Sequence, residues 1–265
     1  MISDRSAETA SSSLAMRGFA PFFDSELGRQ LLHCQQAVLD RCLAPLTGYS
    51  LLQLSAQPEA MLSAAAGVGQ RLHLHFDRAV ALSSPHCCGD YQQLPIASDC
   101  IDIALLHHVL DFSPDPHQML RETDGVLTDG GHLLVVGFNP ISCWPLYRSA
   151  IAFSRDWSLP KTAIRLARLI DWLSLLNYDI LQRGSYFFRP PIGSTALLRK
   201  LQPLDRWGEK FHLPGGLCYV LLARKRALPV NPLRQQHWSA TLRPAGVGKL
   251  GASATAVAVA RCADK

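Results

Sequence analysis

Residues 100–138, CIDIALLHHVLDFSPDPHQMLRETDGVLTDGGHLLVVGF, decide the fold. The opening run from Cys100 to Leu110 is almost continuously apolar, as expected of a central parallel strand covered on both faces. Residues 115–131 change to a helical pattern and close on an Asp-Gly-Gly turn, and 132–138 form a second apolar run. A strand, a crossover helix and a second strand in one stretch make a unit that parallel sheets require.

The same alternation extends both ways. Upstream, residues 49–55 read as a strand, and Pro58 suits the first turn of a helix over 59–66 that Gly67 closes. Residues 71–76 alternate as a strand. Before these, residues 24–46 have apolar positions at helical spacing, with Asp24 or Ser25 as N-cap and Pro45 and Gly48 as the stop. Downstream, residues 161–178 read as an amphipathic helix, 179–190 contain a strand, 194–210 form a helix broken near Pro203, and 216–226 form a last strand. This order predicts an α/β chain with a doubly wound, mostly parallel sheet of the seven-strand type. The expected organisation is an N-terminal extension with one helix over 1–46, a main domain over 47–228, and a basic tail over 229–265. The tail is rich in Pro, Gly and Ala, lacks a clear period, and is expected to be disordered.

Composition narrows the setting. The chain has 265 residues, 48% of them hydrophobic, and a net charge of +5. No apolar run reaches the roughly 18 residues of a membrane helix. The first residues carry acids and lack a long apolar core, so they make a poor signal peptide. The eight cysteines form no C-x-x-C pair, and the expected location is the cytoplasm. Charge is uneven: residues 1–130 hold 7 basic and 15 acidic side chains, and residues 189–265 hold 13 basic and 3 acidic. A basic C-terminal third can meet a polyanion such as RNA or a lipid surface, or can serve only to keep the tail solvated.

Several short strings occur in a telling order: Gly89-Asp90, Leu94-Pro95, Ile101-Asp102, Val109-Leu110, Asp115-Pro116, Leu120-Arg121-Glu122, Gly125-Val126-Leu127 and Gly130-Gly131. Together they resemble the second half of a class I S-adenosylmethionine-dependent methyltransferase domain of type 11. The likeness is dense over about 50 residues and loose over perhaps 180. It implies S-adenosylmethionine as cofactor, with Asp90 accepting a hydrogen bond from the adenine amino group and Tyr91 flanking the ring. It also implies that Asp77, at the end of the second strand, meets the ribose hydroxyls. Aligned on the family's first motif, LLQLSAQ (51–57) puts Gln53 at the acidic position and Ser55 and Gln57 at the two glycine positions. Glycine there lets the backbone approach the cofactor.

His107 and His108 end the central strand, where an imidazole could take a proton from a methyl acceptor. Alternation along the strand lets only one of them face the site. His73 and His75 share a strand face, but with the His-Cys-Cys of 86–88 they lack metal-site spacing, so no metal is expected. The loop leaving 132–138 through Asn139-Pro140 would border the substrate. Two readings stand. One is a methyltransferase with an unidentified acceptor. The other is a protein that kept the fold without the catalysis and binds a partner or RNA.

Overall fold

The computed structural model describes residues 14–57, 61–75, 87–142, 163–189, 201–211, 213 and 215–227. Seven strands make up its sheet: β1 (Thr47–Ser55), β2 (Gly67–His75), β3 (Cys87–Cys88), β4 (Ile101–His107), β5 (Leu127–Phe138), β6 (Tyr178–Tyr186) and β7 (Cys218–Lys225). Their order is β3-β2-β1-β4-β5-β7-β6. The first five are parallel, and β7 runs antiparallel between β5 and β6. The connections wind one way from β1 through β2 to β3 and the other way from β4 on. The switch point between β1 and β4 is where ligands of such sheets bind, beyond the carboxyl ends of the strands.

Among the described residues the helices are α1 (14–24), α2 (Glu26–Leu43), α3 (Val109–Phe112), α4 (Pro116–Val126), α5 (Leu166–Leu175) and α6 (Gln202–Lys210). In α2, Ser25 is the N-cap and accepts from the Gly28 amide, while Leu27, Leu31, Val38 and Leu39 go into the core. Gly28 lets α1 meet α2: a Cβ there would lie 2.1 Å from the Phe22 carbonyl oxygen. In α4, Asp115 caps the Gln118 amide and Pro116 opens the helix, while Met119, Leu120 and Val126 bury. Strand β4 is buried at every position but Asp102, as its apolar run requires.

The structure departs from the sequence reading in four places. Of the helix expected over 59–66, the described residues 62–65 are turns, because Gly67 already begins β2 and donates to the Leu46 carbonyl. The expected Asp-Gly-Gly turn is absorbed into β5, where Gly130 has φ +79° and the β4–β5 register slips between Ile101 and Ile103. Pro203 lies in the first turn of α6 and does not break a longer helix, since a missing N–H costs nothing there. Strand β3, two residues long, has too little pattern to be seen in advance. Asp77 and the tail from 229 lie outside the described residues.

Candidate functional site at the carboxyl ends of β1 and β4

Ser55 and His107 are register partners at the last rung between β1 and β4. The next bond, from the Ala56 amide to the His107 carbonyl (3.0 Å), carries the pairing into the loop. His108 then leaves the strand in a left-handed conformation (φ 57°, ψ 8°) while its amide still bonds the Val136 carbonyl. That reversal undoes the alternation of the strand. Both imidazoles therefore meet the same side chain, Gln35 of α2, with their rings 4.6 Å apart.

The contacts define one directed chain. The Gln57 amide donates to Ser55 Oγ (3.1 Å), and Ser55 Oγ–H donates to His107 Nδ1 (2.9 Å). His107 Nε2–H donates to Gln35 Oε1 (3.0 Å), and Gln35 Nε2–H donates to His108 Nε2 (2.8 Å). His108 Nδ1–H donates to Asp111 Oδ2 (3.0 Å), which also accepts the Phe138 amide (3.0 Å). The amide orientation of Gln35 fixes both tautomers, and both histidines are neutral. Electrostatics agree: burial pushes His107 well below its ordinary range and His108 down to about 3, and burial pushes Asp111 well above the carboxylate range. With Oδ2 already accepting two bonds, the proton of a neutral Asp111 sits on Oδ1.

Aromatic rings of α1 close this chain from above. Phe23 lies 5.7 Å from His107 and 5.9 Å from His108, Phe138 stacks on His108 at 4.1 Å, and Phe19 packs on Phe112 and Phe138. Neither histidine has an open nitrogen, since Ser55, Gln35 and Asp111 engage all four. The sequence reading places a proton-taking role on one of these imidazoles; in the structure every ring nitrogen already has a partner.

The open polar atoms lie elsewhere on the same edge. Gln57 Oε1 after β1, Gln92 Nε2 near β3, and Asp111 Oδ1 and Ser113 Oγ after β4 are buried without a hydrogen-bond partner among the described residues. So is the hydroxyl of Tyr219, which faces the last residues of β5: a Cβ on Gly137 would sit 2.5 Å from it. Native interiors hold few such atoms, and each calls for an explanation.

Of the residues expected to hold a cofactor, those described lie at the same edge or in β1. Gln53 is buried mid-strand in β1, and Ser55, Ala56 and Gln57 are buried after it. Asp90 is half-buried and its carboxylate caps the Gln92 amide at 2.9 Å. Tyr91 turns inward, its hydroxyl donating to the carbonyls of Leu74 (2.9 Å) and Ser55 (3.2 Å) and so spanning the ends of β2 and β1.

A family model for a methyltransferase domain matches residues 42–135, from the end of α2 into β5. The sheet has the class I methyltransferase fold. It is the fold that the resemblance of the Gly-Asp, Leu-Pro and strand motifs implies. The chain is 33% identical over 162 residues to the uncharacterized protein YafS of Escherichia coli (strain K12), a match over 59% of this chain and 62% of that protein. The chain thus spans less than two thirds of the curated relative it matches. Among solved structures, a SAM-dependent methyltransferase of Thermotoga maritima aligns with TM-score 0.57 at 16% identity, over 76% of this chain and 91% of that one. The [4+2]-cyclase SpnF aligns with TM-score 0.51 at 17% identity, over 73% and 80%. At these identities the likeness is one of fold, and the fold does not name a reaction.

Gln35, Asp111 and Tyr219 escaped the sequence reading as site residues. Gln35 left a trace, as a polar residue on the stripe of α2 that Leu31, Val38, Leu39 and Cys42 bury. Asp111 left one too, as an acid inside the apolar HHVLDF. Nothing in the sequence links the two, because only the fold brings α2 across the end of β4.

Proposed function

We propose that this chain is an S-adenosylmethionine-dependent methyltransferase whose acceptor site lies over the carboxyl ends of β4 and β5. The observation that carries the reading is the row of unpartnered buried polar atoms along that edge. The cofactor fits at its methionine end, because Gln57 Oε1 is a buried acceptor lacking a donor and a methionine ammonium is a donor. Asp90 and Asp77 are the residues proposed for the adenosine end. When bound, the cofactor supplies an electrophilic methyl group. Asp111 Oδ1, which carries the proton of the neutral carboxyl, is the atom proposed to donate a hydrogen bond that orients the acceptor beside the methyl group. His108, held by Gln35, fixes the Asp111 carboxyl through Oδ2 and keeps Oδ1 turned to the acceptor side. The rings of Phe19, Phe23 and Phe138 exclude water from this end.

Equilibrium dialysis with labelled S-adenosylmethionine tests the proposal. Saturable binding is expected, weakened about tenfold, or roughly 1.4 kcal/mol, by Gln57→Ala and again by Asp90→Ala. Binding to wild type that neither change affects would refute the residue assignments.

One observation favours the second reading, a protein that keeps the fold and binds a partner without catalysis. Ser55 and Gln57 occupy the glycine positions, and the loop they form is buried. On that reading wild type does not bind the cofactor, and the triple change Gln53→Glu, Ser55→Gly and Gln57→Gly introduces binding.

A further inference from the structure

Two buried side chains converge on the last residues of β5 and keep an atom open there. Tyr219, the second residue of β7, pairs with Gly137 and folds its ring over it: a Cβ on Gly137 would lie 2.5 Å from the Tyr219 hydroxyl. Asp111 reaches the next residue, where its Oδ2 accepts the Phe138 amide. Both side chains are at most 1% exposed, and neither the Tyr219 hydroxyl nor Asp111 Oδ1 has a hydrogen-bond partner among the described residues. Ser113 Oγ, two residues on from Asp111 and also buried, is a third such atom. Open, buried O–H groups gathered at one place are what a polar ligand would satisfy.

The charge of that place selects the ligand. Gln35 gives one acceptor to His107 and one donor to His108, so both imidazoles are neutral. Asp111 bonds only the neutral His108 ring and the Phe138 amide, and no lysine or arginine among the described residues pairs with it. Burial without a cation holds its carboxyl protonated. A carboxylate or phosphate brought here would find no cation, and an ammonium no anion, so either would lose its hydration without return. The rings of Phe19, Phe112 and Phe138 pack on one another beside these groups, so the body of the ligand meets apolar surface. Hydrogen-bond roles narrow the class further. Asp111 Oδ1–H can only donate, whereas the Tyr219 hydroxyl can donate or accept. One hydroxyl on the ligand answers both, accepting from Asp111 and donating to Tyr219. On the methyltransferase reading above, a hydroxyl is also a group that a methyl can be placed on, which an ether is not.

We infer that the acceptor, on that same reading, is an uncharged hydroxyl compound of the phenol class, held by Asp111 and Tyr219. The full-length protein is titrated with phenol, benzoate and benzylamine, three probes of similar size and different charge, by ligand-detected NMR. Phenol is expected to bind at least tenfold more tightly than the other two. Tyr219→Phe is expected to weaken phenol about five- to tenfold. The same change should leave the thermal midpoint unchanged or raised, since it removes a buried hydroxyl that has no partner. Benzoate or benzylamine bound as tightly as phenol would overturn the inference. So would phenol binding that Tyr219→Phe does not alter, or a lowered midpoint for that variant, which would mean that the hydroxyl is already satisfied. A separate titration with S-adenosylhomocysteine keeps the two readings apart. No phenol binding overturns the inference whether or not S-adenosylhomocysteine binds. Phenol binding that depends on Tyr219, with no binding of S-adenosylhomocysteine, supports the phenol site and refutes the cofactor reading instead.

Discussion

The two ends of the sheet treat polar side chains in opposite ways. At the amino end, Asp102 accepts from the amides of Tyr49 (2.7 Å) and Ser50 (3.0 Å) and from Thr128 Oγ1 (3.4 Å), tying the starts of β1, β4 and β5 together. Lys225 donates to the carbonyls of Asp124 and Leu127, and Tyr178 donates to the Asp124 carboxylate. Of these groups, Asp124, Thr128 and Lys225 border a hollow of about 660 Å³ that is open to solvent. At the carboxyl end, Ser55, Gln35, His107, His108 and Asp111 are all at most 1% exposed and joined in one chain, yet unpartnered oxygens remain at Gln57, Asp111 and Tyr219. Polar groups that hold the sheet together saturate one another at its wet end. At the other end buried polar atoms stay unsaturated, at a cost the surrounding core must offset, which is what the proposed ligand site requires.

The largest expected effect comes from cutting the buried chain at its middle. Gln35→Leu leaves His107 Nε2 without an acceptor and His108 Nε2 without a donor, both fully buried. The cost should be about 3 kcal/mol, read as a lowered urea midpoint. A loss no larger than that of an ordinary surface change would mean that the chain contributes nothing to the fold.

A smaller effect separates the ends by pH. Asp111 is raised by burial, so its stabilising contribution is present below the unfolded carboxyl range, about pH 3.9, and is lost as pH rises through its raised folded value. Asp102 shifts the other way. Burial opposes the shift, but the amide bonds from Ser50 and Tyr49 and the hydroxyl bonds outweigh it. Its contribution is present above the unfolded value and is lost as pH falls through the lowered one. Thermal midpoints across pH should therefore show Asp111→Asn removing the decline on the alkaline side, with a gain of a few degrees at neutral pH. Asp102→Asn should flatten the acid side. Matching pH profiles for the two variants would erase the distinction between the ends.

The smallest effect belongs to the exposed pair of Arg226 and Asp179, at the amino end. Arg226→Ala should leave the thermal midpoint where it is, because solvent screens exposed ion pairs. A measurable loss there would show that the amino end relies on charge more than its geometry suggests.

What was legible in the sequence follows from how local the signal is. Strands β1, β2, β4 and β5 were readable because apolar runs and short connections are local patterns. The cap of α2 at Ser25 was readable because capping needs only three residues. The turns at 62–65 were misread as helix because Pro58 and Gly67 frame a helical segment, and only the bond from the Gly67 amide to the Leu46 carbonyl shows that β2 has already begun. The histidines were found, since two adjacent imidazoles at a strand end stand out. Their hydrogen-bond partners were not, because the left-handed turn at His108 and the approach of Gln35 are properties of the fold. Ser55 was read as a small substitute for glycine, whereas its hydroxyl links the β1 loop to β4.

The most direct test of the central claim is a crystal structure of the full chain with S-adenosylhomocysteine. The account predicts density across the carboxyl ends of β1 and β4, with the ligand's ammonium within hydrogen-bonding distance of Gln57 Oε1 and its adenine beside Asp90. Crystals at saturating ligand with the Ser55–Gln57 loop unchanged and no density over β1 and β4, or with the ligand bound only in the hollow at the amino end, would contradict it.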